Sequence, residues 1–133
     1  MTSASAQWID SERFIGTATS GHAIVVDSGE RKTGNGPMEL MLIALCSCTA
    51  TDVVSILRKK REPFTSVVVR AEGERAKDPP TVYTKVHLIY EIGGKVSHTA
   101  AEHAVHLSKE KYCGVSHMVA KTAAITYEIR YME

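Results

Sequence analysis

The chain is poor in the features that mark a secreted, membrane-bound or nucleic-acid-binding protein. It has only three cysteines among 133 residues, an odd number with no CxxC pair. That count argues against a framework of structural disulfides and points to a free, reactive thiol in a reducing compartment. An excess of one charge is also lacking. Sixteen Lys and Arg stand against fifteen Asp and Glu, a net charge of +1, so neither nucleic acid nor an anionic membrane is favoured as a partner. The start Met1-Thr2-Ser3-Ala4-Ser5 has no basic segment followed by an apolar one, so no signal peptide is expected. The most apolar run, Leu40 to Cys46, falls short of the about 20 residues a membrane span needs, and the chain reads as cytoplasmic. There is no glycine-rich phosphate loop, no GxSxG elbow and no HExxH pair. Internal repeats and low-complexity tracts are absent as well.

What is present fits one α+β domain spanning residues 1–133. Three strands are expected first: at Trp8-Ile9, from Arg13 to Thr19, and from His22 to Val26, the last rich in β-branched residues. Asp27 to Gly36, polar with three glycines, reads as a loop. Pro37 suits a first helical position and Glu39 a first turn. The helix that follows is apolar or small nearly all round, which predicts a long, buried central helix. It runs into Arg58-Lys59-Lys60-Arg61, cations that complement a helix C-terminus, and Pro63 stops it. Val67–Arg75 and Thr81–Ile92 alternate as strands around the break Asp78-Pro79-Pro80. A second helix is expected near Ser97 to Thr99, where Thr99-x-x-Glu102 matches a capping box. Its polar face carries Glu102, His103 and His106, and its other face Ala101, Ala104, Val105 and Ser108. A short helical piece after Cys113 and a last strand, Ile125 to Tyr131, complete the order βββαββαβ, with antiparallel sheet packed on the buried helix.

The cysteines are the candidates for chemistry. Cys46 and Cys48 lie two positions apart on one helix and point about 200° apart, so they neither pair nor share a metal. Cys46 reads as packed and inert. Cys48 is flanked by Ser47, Thr49 and Ala50, small residues that admit another element. Cys113 falls at a helix start, where free N–H groups and the helix dipole lower a thiol pKa; on local grounds it is the more activated of the two. The competing reading for both is that buried cysteine acts as a small hydrophobe. Cys113-x-x-x-His117 has ligand-like spacing, but without a second such pair no metal is expected.

Gly36-Pro37-Met38-Glu39-Leu40 with Cys48-Thr49-Ala50-Thr51-Asp52-Val53-Val54-Ser55-Ile56-Leu57 resembles the central helix of the OsmC/Ohr family. Ser108-x-Glu110-Lys111-Tyr112-Cys113-Gly114-Val115-Ser116 resembles that family's second cysteine motif, and both are closest in flavour to its YhfA-like branch. The resemblance implies an intertwined homodimer without a cofactor, whose thiols reduce hydroperoxides, organic ones preferred, and are reset by a small thiol or dithiol. By position it makes Cys48 the peroxidatic and Cys113 the resolving cysteine. Two positions depart from the peroxidase pattern. Met38 stands where a glutamate follows the proline, with Glu39 one residue later, and His22 stands where an arginine is expected. Glu39 and His22 are therefore the candidate activating or substrate-binding groups. The alternative implied by the same fold is a ligand-binding or redox-sensing protein without peroxidase turnover.

Overall fold

The computed structural model describes residues 1–132. The elements run β1 (Ala4–Asp10), β2 (Arg13–Ala18), β3 (Ala23–Asp27), α1 (Pro37–Lys59), β4 (Phe64–Arg75), β5 (Tyr83–Gly94), α2 (His98–Leu107), a π-helical turn (Ser108–Tyr112), α3 (Gly114–Val119) and β6 (Ala124–Met132). This is the expected α+β order. β1 is longer than Trp8-Ile9 because Ala4 to Trp8 pairs residue for residue with Phe14 to Ala18, and the ladder overrides the weak strand propensity of Ala4-Ser5-Ala6. Packing within the chain divides it into two compact units, the first from Met1 to Met41 and the second from Leu42 onward.

The first unit holds the antiparallel sheet β1-β2-β3 and the loop into α1. Asp27 organises that loop. Its carboxylate accepts from the Gly29 N–H at 2.8 Å, the Thr33 N–H at 2.9 Å and the Thr33 hydroxyl at 2.7 Å. The Thr33 and Gly29 donors hold the Asp27 carboxyl below its ordinary range.

The second unit holds the sheet β4-β5-β6. β4 pairs with β5 antiparallel, as expected, but β6 joins β5 in parallel. Alternation of side chains is the same in both directions, so it does not reveal strand orientation. The parallel pairing requires the crossover through α2 and α3. The turn between β4 and β5 carries a cis Pro79–Pro80 bond. Gly94 closes β5 with a φ of 98°, and a Cβ there would strike the Pro63 carbonyl, so only glycine fits.

The apolar surface that α1 carries nearly all round is only partly covered by its own chain. Within the chain α1 buries one stripe, Leu45, Thr49, Val53 and Leu57, at i, i+4 spacing. Met41 and Ile43 remain exposed at 41% and 48%. Over its full length α1 is also apolar enough, and at 23 residues long enough, to cross a membrane by composition alone. Counting an unbroken run stopped at Cys46 because Ser47 and Thr49 interrupt it, although both are only weakly polar. The second helix is capped differently from the Thr99 reading. Ser97 is the N-cap, its Oγ accepting from the Ala100 N–H at 3.3 Å. Glu62, just beyond α1, accepts the Ser97 N–H at 2.7 Å, taking the part a capping-box glutamate would play.

Candidate active site

Cys48 projects from the middle of α1, and Cys113 is the N-cap of α3. The two side chains lie near enough for the Cys48 sulfur to raise the Cys113 thiol. Cys113 is fully buried and Cys48 half-buried. The Cys113 sulfur accepts the Ser116 N–H at 3.3 Å, the N-cap interaction expected of a residue at a helix start. Its acidity, however, runs opposite to the local reading. Burial pushes the Cys113 thiol up, Ser116 draws it partly back, and the Cys48 sulfur pushes it up again. Desolvation of a thiolate outweighs one helix turn's dipole. Cys113 is thus held as a thiol with a proton to give, and Cys48 presents the more accessible sulfur.

Beside the thiols lies a buried chain of hydroxyls. Ser108 Oγ donates to Asp52 Oδ2 at 2.8 Å. Ser108 has a single hydroxyl proton, so at its 2.8 Å contact with Thr49 it accepts, and Thr49 donates. By the same count Tyr90 donates to Thr49 at 2.7 Å. The proton order is therefore Tyr90 to Thr49 to Ser108 to Asp52. Burial, with the Cys113 and Cys46 sulfurs adding to it, raises the Tyr90 hydroxyl to about 12. None of these four residues was a sequence-level candidate. The available signals were Cys48, Thr49 and Asp52 sharing one face of α1, and Ser108 as the polar member of an otherwise apolar face of α2.

The other candidates have local partners of their own. Cys46 turns away from Cys48, as its spacing required, but it is half-buried rather than packed. It lines an open apolar cleft of about 790 Å³ with Leu42, Ile43 and Val69, and burial raises its thiol. Glu39 lies in the first unit, where it accepts the Gly36 N–H at 2.9 Å and faces Lys32 at 3.9 Å, half of a capping box for α1. His22 is exposed in the turn before β3, with Ser20 Oγ at 3.3 Å. The Cys113-x-x-x-His117 spacing has a local use, since His117 Nδ1 donates to the Cys113 carbonyl at 2.9 Å. No group of three or more His, Cys, Asp or Glu converges among the described residues.

Residues 29–128 match the model of the OsmC-like protein family. The chain belongs to the OsmC-like family. It is 36% identical over 122 residues to protein YhfA of Escherichia coli K12, covering 91% of both chains. Among solved structures, a hypothetical protein of Aquifex aeolicus superposes with a TM-score of 0.86 at 31% identity, covering 100% of this chain and 98% of that one. An organic hydroperoxide resistance protein of Legionella pneumophila superposes with a TM-score of 0.75 at 15% identity, over 98% and 96% of the two chains, a likeness of fold. The OsmC-like match includes both thiols, the hydroxyl chain and Glu39, whereas His22 lies outside it.

Proposed function

We propose that this protein is a thiol-dependent hydroperoxide reductase that works through Cys48 and Cys113 as a cytoplasmic homodimer. The observation that carries the reading is the nearness of a half-buried Cys48 to a fully buried Cys113 whose thiol is pushed up by burial. The Cys48 thiolate attacks the terminal peroxide oxygen. The O–O bond breaks, Cys48 becomes a sulfenic acid, and the departing alkoxide takes a proton to leave as an alcohol. The Cys113 sulfur then attacks the Cys48 sulfur, and the hydroxyl leaves as water with the Cys113 proton, closing a disulfide. Two equivalents of a small thiol, or one dithiol, return the two electrons. Relatives of the same fold named as organic hydroperoxide resistance proteins support the substrate class. The apolar residues that α1 leaves exposed support a second copy of the chain as its cover.

The test is peroxide consumption by the reduced protein with a dithiol, followed by peptide mapping. Cys48→Ser abolishes consumption. Cys113→Ser leaves a trappable sulfenic acid at Cys48. If Cys113 reacts first the roles are reversed. If neither cysteine reacts, the ligand-binding reading replaces this one, with the open apolar cleft beside Cys46 as the observation in its favour.

A further inference from the structure

We propose that Ser108 is the positioning residue of the thiol pair, holding Cys113 at disulfide-forming distance from Cys48 through the Tyr90–Thr49–Ser108–Asp52 hydroxyl chain. This rests on reading Cys48 and Cys113 as a redox couple, but not on the identity of the oxidant.

Ser108 sits where three constraints cross. Its hydroxyl is tied to α1 twice, accepting from Thr49, the neighbour of Cys48, and donating to Asp52 one turn on. Its carbonyl accepts the Cys113 N–H at 2.8 Å, five residues along the chain. That i to i+5 bond is what widens the end of α2 into the π-helical turn Ser108–Tyr112, a local form that recurs at functional sites. Its own N–H is held by the Ala104 and Val105 carbonyls. One residue therefore joins the backbone of Cys113 to the helix face carrying Cys48 through two short hydrogen bonds.

Ser108, Thr49 and Tyr90 are buried to within 1% of full exclusion from solvent. Buried hydroxyls cost stability unless each finds a partner. A core that needed only to be filled would take alanine and valine at these places. The chain is fully satisfied and runs one way, so it specifies a single arrangement of α1 against the turn. Disulfide closure is sensitive to that arrangement, because the Cα atoms must come within about 4.4–6.8 Å with the correct dihedral.

The test uses the full chain in glutathione redox buffers. Oxidised glutathione takes two electrons and two protons from Cys48 and Cys113, yielding the protein disulfide and two reduced glutathiones. Mass mapping of alkylated samples gives the equilibrium constant. Ser108→Ala and Thr49→Val are each expected to shift it toward the dithiol by about ten-fold, and the double variant by no more than the larger single effect, because both cut one path. Thr49→Ser, which keeps the hydroxyl, should stay within about two-fold of the parent. Thermal unfolding of the reduced proteins separates positioning from bulk stability, since a merely structural role lowers the melting temperature and leaves the equilibrium constant unchanged. If Ser108→Ala does not fold, the comparison of Thr49→Val with Thr49→Ser decides. The proposal is overturned if both Ser108→Ala and Thr49→Val keep the parental constant, or if the parent forms no Cys48–Cys113 disulfide. A parent that forms the disulfide with glutathione, shows these shifts and consumes no peroxide upholds the positioning role while the peroxidase reading fails.

Discussion

At the scale of single residues, the two thiols differ chiefly in exposure. Cys113 is excluded from solvent and held protonated by burial, while Cys48 is half-buried. Alkylation of the reduced protein at neutral pH should therefore label Cys48 before Cys113. Mass mapping at short times reads this directly, and faster labelling of Cys113 would contradict the assigned order. Tyr90 makes a second prediction. Its hydroxyl is raised from 10.0 to about 12, so the folded state binds that proton more tightly than the unfolded chain. Its contribution is complete below pH 10 and is lost as pH climbs toward 12. Tyr90→Phe should cost about 1 kcal/mol at neutral pH and flatten the alkaline fall in stability over that window. Denaturant unfolding across the pH series measures both. Of these residue-level properties the sequence revealed the cysteines and their contexts. It misjudged the acidity of Cys113, because a helix-start dipole is visible in a local motif and burial is not.

At the scale of elements, α2 depends on a cap shared between distant parts of the chain. Ser97 Oγ bonds the Ala100 N–H, and Glu62 bonds the Ser97 N–H. Ser97→Ala should cost about 1 kcal/mol. Glu62→Ala should cost a similar amount or less, and the double variant less than the sum, since both groups serve one helix end. Unfolding by denaturant checks all three. The capping-box pattern at Thr99-x-x-Glu102 pointed to the correct region and the wrong residues. The real acidic partner comes from 35 positions earlier, beyond the reach of any local pattern. The π-helical turn after α2 was likewise not expected. It closes on the bond from the Cys113 N–H to the Ser108 carbonyl, five residues apart.

At the scale of the whole molecule, α1 leaves Met41 and Ile43 exposed, and β1 is exposed along its length with Trp8 at 63%. Apolar surface of this kind is what a second copy of the chain would cover under the proposed dimer. The expected state at micromolar concentration is a homodimer, and Ile43→Glu should weaken it by placing a charge in the apolar contact. Light scattering with dilution tests this, and a folded monomer in the parent protein would remove the claim. Activity carries a further expectation. If His22 has a part in turnover, His22→Gln lowers the rate of peroxide consumption, and an unchanged rate removes His22 from the mechanism.

The sequence by itself determined the order of the elements, the α+β class, the two cysteine motifs and the orientation of Cys46 away from Cys48. Each of these follows from local periodicity or from spacing along one helix, information a stretch of chain carries without its partners. Tertiary structure alone decided that Cys48 and Cys113, 65 positions apart, lie near one another; that β6 runs parallel to β5; and that Thr49, Ser108, Asp52 and Tyr90 form one hydrogen-bonded line. These depend on which faces meet and on how much water is excluded where they meet. Both are properties of the packed chain, and neither leaves a period or a motif to read beforehand.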